Sequence, residues 1–272
     1  VADIGTADAE FIIRGRPLDA KEELGDWVYS TTPFRVENHK IFAPAGPNSA
    51  IAGARVGHTV TNLTVGLENS DPRFPGQSFL VVGGETTAGS GGTNTVDVML
   101  VNALSAETST ADRFASPTFQ LPTPRAWHSA TMLDDGRVLI AGGVDASGAP
   151  VGTTVLYDPA LREIVPGPSL NVARSHHSAV LLTSGDVAFF GGKTAGGGLT
   201  GAVEIFRFAP VATVEDPSTL SIDLMAATMS VPQHSLHTVV LPDQTVLVTG
   251  GIDGSNSAVQ TAQIFDPYND ED

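Results

Sequence analysis

Four times this chain runs a hydrophobic segment directly into two adjacent glycines: "SFLVVGG" ending at Gly84, "RVLIAGG" at Gly143, "VAFFGG" at Gly192 and "TVLVTGG" at Gly251. A strand with one wet face alternates apolar and polar residues; an unbroken apolar run implies cover on both faces. The glycines mark where the strand leaves that packed region. With no Cβ they accept unusual backbone angles and the close approach of another backbone. The pattern therefore predicts strands wedged between sheets arranged in series, and it argues against a two-layer sandwich with one flank of each sheet in water.

The glycine pairs anchor an internal repeat. They lie at Gly83–Gly84, Gly142–Gly143, Gly191–Gly192 and Gly250–Gly251, with first glycines 59, 49 and 59 residues apart. A histidine precedes each pair: His58, His128, His177 and His237, at spacings of 25, 14, 14 and 13 residues. The long first spacing comes from an added polar stretch, "LENSDPRFPGQ". Three residues before each histidine stands Arg55, Arg125, Arg174 or, in the last copy, His234. Fifteen residues after the first glycine comes an aromatic, Tyr157, Phe206 or Phe265, and in the first copy "VDVMLVN" fills the place. Within a copy, "HSATML" reads as a strand, "DDG" as a tight hairpin turn, "RVLIA" as the second strand, "TTVLYDP" as a third and "REIVPGP" as a short fourth. No copy carries a long amphipathic helix. The copies span about 51–121, 122–168, 169–230 and 231–272.

The ordered set R-x-x-H-S-A, D-G-R-V-L-I-A-G-G and Y-D-P resembles the Kelch repeat, in its bacterial, galactose-oxidase-like variety, over residues 51–272. That resemblance implies an all-β fold: a β-propeller of four-stranded antiparallel blades whose first strands line the axis. The tryptophan that many Kelch repeats carry in the fourth strand is missing, and Trp27 and Trp127 both fall elsewhere. Residues 1–50 form an N-terminal segment with strand-like "AEFIIRGRP" and "HKIFAPAGP" around a helix-like "PLDAKEELG". The last copy stops after its third strand, and residues 38–44 are expected to supply the missing fourth. The rival expectation is a longer propeller from which this chain is cut. The start at Val1 rather than Met fits a processed form or an excerpt.

Recurrence of one histidine per repeat points to a scaffold hydrogen bond rather than to a metal site. The cations Arg55, Arg125, Arg174 and His234 precede the axial strand. They are expected at the channel rim, where guanidinium groups form paired bonds with carboxylates, as arginines do in Kelch domains that bind acidic peptides. The opposing expectation pairs each arginine with an acid of its own repeat. The loops after the glycines, 85–95, 144–152, 193–201 and 252–260, are small and polar and form a candidate recognition surface. Asp145 and Asp253 are candidate calcium ligands, though neither loop has the alternating carboxylates of a dedicated calcium site.

Net charge is −16, from 30 acids against 14 bases, which excludes nucleic-acid phosphates and anionic membranes as partners. No apolar run is long enough to insert into a membrane as a helix. With no cysteine there is no disulfide, no thiol nucleophile and no cysteine–tyrosine copper-radical cofactor of the galactose-oxidase kind. "GGKT" imitates the end of a phosphate-binding loop, but Val187 stands where that motif needs glycine. G-x-S-x-G and H-E-x-x-H are absent, and "NLT" is a single glycosylation match. The sequence thus reads as a non-enzymatic binding module without a cofactor, recognising a protein or glycan through one loop face. The resemblance and a composition with only three lysines lean toward a secreted, cell-surface or periplasmic bacterial protein. The alternatives are a structural propeller within a larger self-assembling complex, and the non-catalytic part of a carbohydrate-active or oxidase-like enzyme.

Overall fold

The computed structural model describes residues 14–15, 28–29, 55–63, 77–101, 113–115, 120–208 and 220–268. The chain divides into two compact units, Val1–Ala43 and Pro44–Asp272. In the first, β1 (Arg14–Gly15) pairs antiparallel with β2 (Val28–Tyr29). The helix expected at 17–25, the strand at 39–47 and the closing strand at 38–44 lie outside the described residues.

The second unit is all-β, built from antiparallel sheets in chain order. Sheet one is β3 (Thr59–Asn62), β4 (Gln77–Val82), β5 (Val96–Val101) and β6 (Arg113–Ala115). Sheet two is β7 (Ser129–Met132), β8 (Val138–Ala141), β9 (Thr154–Asp158) and β10 (Glu163–Pro166). Sheet three is β11 (Ser178–Leu181), β12 (Val187–Phe190), β13 (Ala202–Arg207) and β14 (Ser221–Thr228). A two-residue ribbon of β15 (Gln233–His234) with β18 (Ile252–Asp253) leads into sheet four, β16 (His237–Val240), β17 (Val246–Thr249) and β19 (Gln263–Phe265). No α-helix occurs among the described residues; a single 3-10 turn covers Ala195–Gly197.

The hairpins follow from their turn residues. Between β7 and β8, Leu133 donates to Arg137 O at 2.8 Å and Gly136 back to Leu133 O at 3.0 Å, with Gly136 at φ 86°. Asp135 Oδ1 accepts the Arg137 N–H, an Asx cap on the same turn. "SGD" and "DQT" build the corresponding turns of sheets three and four, closed by Leu182–Asp186 and Leu241–Thr245 bonds.

The first strands β3, β7, β11 and β16 run side by side, and hydrophobic cores fill each space between successive sheets. The second strands show why their sequences do not alternate. In β8, Val138 and Ile140 point into the core shared with sheet one, while Leu139 and Ala141 point into the core shared with sheet three. In β12, Val187 and Phe189 face sheet two, and Ala188 and Phe190 face sheet four. All eight are fully buried. Both flanks of these strands are dry, and each large side chain so placed contributes roughly 1.5–3 kcal/mol of burial. The aromatic of the third strand sits beside the same row, with Val138 opposite Tyr157, Val187 opposite Phe206 and Val246 opposite Phe265. Strand β17 departs from the rule: Val246 and Val248 are buried, Leu247 only partly, and Thr249 is exposed.

Candidate functional site

Each first strand is preceded by a lead-in whose backbone is pinned by one bridge to the residue after the glycine pair. The bridges are Val56 to Glu85, Ala126 to Val144, Ser175 to Lys193 and His234 to Ile252. They fix the equivalent positions of the repeat and correct its last copy by one residue. The partner of Arg55, Arg125 and Arg174 is Gln233, not His234, and the partner of His58, His128 and His177 is Leu236, not His237. The same shift appears at the glycines. Gly84, Gly143 and Gly192 donate their N–H to Arg125 O, Arg174 O and Gln233 O at 2.8–2.9 Å. The sequence held the clue: counted from Leu236, the spacing to Gly250 is 14, as in copies two and three, rather than 13.

The arginine rim is not met. Arg125 and Arg174 have no exposed surface, and Arg55 is buried against Asp97. Arg174 donates to Gly191 O at 3.0 Å and Ala202 O at 2.8 Å, and pairs with fully buried Glu204. Glu204 also accepts the N–H groups of Asn171 and Val172. Arg55 binds Asp97 and Thr95. Arg125 donates to Gly142 O, Thr153 O and Thr153 Oγ1, and among the described residues no carboxylate pairs with it. Burial alone lowers its pKa to about 10. These guanidinium groups clip the lead-in to the end of the second strand and the start of the third. Because Asp97, Val155, Glu204 and Gln263 lie opposite Val81, Ile140, Phe189 and Val248, they occupy one repeat position. The counter-ion is thus present in copies one and three and absent in copy two, and in copy four the two positions hold uncharged Gln233 and Gln263, which do not hydrogen-bond each other.

The histidines lie between sheets. His128 Nε2 meets Thr59 Oγ1 at 2.9 Å, and His177 Nε2 meets Ser129 Oγ at 2.9 Å, each a hydroxyl of the preceding first strand. Leu236 has no such group, and there Ser178 bonds Thr238 instead, at 2.8 Å. His58 differs, its Nδ1–H donating to Arg55 O at 3.1 Å. His237 is exposed. Nδ1 of His128 and of His177 is buried without a partner. The arrangement that strands no N–H puts the proton on Nε2, donating to the hydroxyl. Desolvation, then Arg174 and His176, push His177 down to about pKa 3. Desolvation, then Arg125, His177 and His58, hold His128 well below the usual value.

The sign of the pH effect follows. Both histidines stay neutral in the folded state, whereas the unfolded chain takes up their protons below about pH 6.5. Their stabilisation is therefore complete above that pH and declines as pH falls toward the folded-state values, by about 1.4 kcal/mol per pH unit per histidine. Urea unfolding at pH 7 and pH 5 should show this decline. His177→Leu, which copies the residue of repeat four, should fold and remove about one proton from the slope. An unchanged slope in that variant would mean that His177 is already charged in the native protein.

One further lead-in position joins all copies. Gly57, Trp127, His176 and Ser235 have φ of 69°, 57°, 54° and 55°. Their main chains bond in series: Trp127 N–H to Gly57 O at 2.7 Å, His176 N–H to Trp127 O at 2.9 Å, and Ser235 N–H to His176 O at 2.8 Å. A left-handed conformation costs a non-glycine residue about 1 kcal/mol, and here each such residue gains an inter-sheet hydrogen bond. The side chains stack in the same order. The Trp127 indole lies over Gly57, where a Cβ would meet its Cε2 at 2.6 Å. His176 stacks on Trp127 with ring centroids 4.6 Å apart, and His234 meets His176 edge-on at 5.9 Å. Trp127 Nε1 donates to Glu85 Oε1 at 3.1 Å, and the other Glu85 oxygen accepts the Gly89 N–H.

Lys193, beside this cluster, forms no ion pair among the described residues. Desolvation first, and then its charge, lower both His176, to about 4, and His234. Near neutral pH the cluster therefore holds an indole, one ammonium and two neutral imidazoles, that of half-buried His176 with Nδ1 against Ser175 Oγ and that of buried His234 with Nδ1 against Ser235 Oγ. Of these residues the sequence singles out only His234, as a rim cation, and it is buried, 8% exposed; Trp127 enters there only as a tryptophan outside the Kelch pattern. Their common signal, the third residue of R-x-x-H, varies in chemistry and so does not stand out as a repeat.

The loops after the glycine pairs open at this same end of the sheets, since each first strand begins where its second strand finishes. Asp145 Oδ1 accepts from Ser147 N and Oγ and from Ala149 N; Asp253 Oδ1 accepts from Ser255 N and Oγ and from Ser257 N. These bonds lower both carboxyl pKa values and close the loops on themselves. Among the described residues no group of three or more His, Cys, Asp or Glu side chains is placed to hold a metal ion, and no helix is long and apolar enough to cross a membrane.

The architecture is thus that of an all-β protein of serially packed antiparallel sheets. Among solved structures, the chain is similar to one described as a novel fungal alcohol oxidase with catalytic diversity among the AA5 family, in complex with copper. The match has a TM-score of 0.40 and 15% identity, and it covers 70% of this chain and 49% of that one. The chain thus spans about half the length of that structure. No protein-family model and no curated protein matches the sequence.

Proposed function

We propose that residues 51–272 form a Kelch-type β-propeller, complete or partial, and that it acts as a non-catalytic binding module for a protein or glycan. The observation that carries this reading is the convergence, at one end of four rigidly packed sheets, of the post-glycine loops with the Trp127–His176–His234 cluster and Lys193. Recognition groups borne by loops on a stiff scaffold bind with little ordering cost. Neutral imidazoles and an ammonium suit hydroxyl- and carboxylate-bearing ligands. A secreted, cell-surface or periplasmic bacterial setting belongs to the same proposal.

The test is binding of the purified chain to arrays of defined glycans and acidic peptides, followed by titration of any ligand found against Lys193→Ala and His234→Ala. Loss of about tenfold or more in affinity, with unchanged thermal unfolding, supports the reading. Unchanged affinity in both variants overturns the assignment of this face. Reversing the charge of Arg55, Arg125 or Arg174 would not test it, because those groups lie inside the fold.

A further inference from the structure

The three junctions between successive sheets share one set of contacts, and on sheet four the donor half of that set is unmated. At each existing junction the first glycine of a pair abuts a lead-in carbonyl of the following sheet, and the second glycine donates its N–H to it. The three carbonyls are those of Arg125, Arg174 and Gln233. A Cβ built on Gly83, Gly142 or Gly191 would lie 2.1–2.5 Å from that oxygen, whereas one on Gly250 would have nothing within 4 Å. The main-chain series from Gly57 to Ser235 ends with Ser235 O, which receives no following N–H among the described residues. The apolar half is open too. Val239, Leu247 and Ile264 form one cross-strand row. Leu139 and Leu156, which match Leu247 and Ile264 in sheet two, are fully buried, yet Val239 is 51% and Ile264 59% exposed.

The opposite end of the series carries the complementary half. Gly57 is the only member of the main-chain series whose N–H has no partner among the described residues. Val56 and Val60, beside it, are 43% and 55% exposed. Further out on sheet one Val81 is already buried, so the open part of that flank is its inner edge, the edge that carries the main-chain series.

We propose that the outer flank of sheet four is a docking face for a second copy of this chain, which inserts the inner edge of its sheet one. The contact continues the three junctions already present. Gly57 N–H of one copy bonds Ser235 O of the other, and Val56 and Val60 meet Val239, the inner member of the exposed row. Such a contact is head-to-tail, so it closes into a ring or extends into a filament according to the rotation per copy.

The chain has no cysteine, which makes the test clean. Across the junction of sheets three and four, Ser178 touches Thr238; the corresponding pair in the proposed contact is His237 of one copy and Val60 of the next. His237→Cys and Val60→Cys proteins should each stay free of disulfide-linked dimers under mild oxidation and give a linked heterodimer when mixed. In sedimentation across a concentration series, the unmodified chain should associate, and Val239→Asp should weaken association about tenfold or more. A chain that stays monomeric across the series, or a His237→Cys protein that cross-links with itself as readily as with its mate, overturns the proposal.

Discussion

Gly142→Ala should destabilise the protein by several kcal/mol, while Gly250→Ala, at the same repeat position, should cost only roughly 1–2 kcal/mol. The two glycines share their backbone conformation, φ 65° and 69°. Strain from a left-handed alanine is therefore common to both, roughly 1–2 kcal/mol. They differ in what an added methyl meets. At Gly142 it would lie 2.5 Å from Arg174 O and 2.8 Å from the His177 ring. That oxygen is main chain, held by the Gly143 N–H at 2.9 Å, so relief requires separating sheets two and three. At Gly250 the methyl enters open space. Urea unfolding midpoints of the two variants measure the difference, and equal costs would show that backbone angle, not sheet contact, explains the glycine pairs.

The second large effect concerns the buried pair in sheet three. Glu204→Gln keeps shape but removes the charge facing Arg174, which has no exposed surface. Breaking a buried pair by neutralising one partner costs about 3–5 kcal/mol, because the other charge is left uncompensated. Neutralising both is far milder where the site holds the replacements well. Repeat four already carries two neutral residues: Gln233 and Gln263 occupy the two positions, and Gln263 Oε1 accepts the Ser230 N–H as Glu204 accepts that of Asn171, while the Gln233 amide and Gln263 Nε2 are buried without a hydrogen-bond partner among the described residues. The double variant Arg174→Gln/Glu204→Gln removes both charges but leaves buried amides to be satisfied, so it should regain part, not all, of what Glu204→Gln loses. A double-mutant cycle by urea unfolding reads this directly; additive losses would show that the two groups are not coupled.

Much of this fold could be read from residue order. Unbroken apolar runs before glycine pairs meant strands dry on both flanks, and Val138–Ala141 and Val187–Phe190 are so placed because successive side chains enter different cores. The hairpin at "DDG" and the short fourth strand at Glu163–Pro166 were legible from turn chemistry and length. The burial of the arginines is not legible in the sequence, because a cation before a first strand looks the same whether it points outward or folds back onto backbone carbonyls. The distinguishing residue, an acid such as Asp97 or Glu204, lies 30 or more positions away. The last copy was read one residue out of step because His234 and His237 imitate the basic and imidazole landmarks, while the residues that take those places, Gln233 and Leu236, share neither chemistry. The cluster around Trp127 and His176 was hidden for a related reason: its position is defined by backbone geometry and carries a different side chain in every copy.

That last property bears on how such a surface diversifies. The links between Gly57, Trp127, His176 and Ser235 run from amide to carbonyl, so side-chain identity is uncoupled from the connection itself. Nothing, an indole, an imidazole and a hydroxymethyl group already occupy the four places. If the surface binds as proposed, single substitutions at Trp127, His176 or Ser235 change what it displays while the main-chain links stay constant, whereas a side chain at Gly57 meets the Trp127 indole.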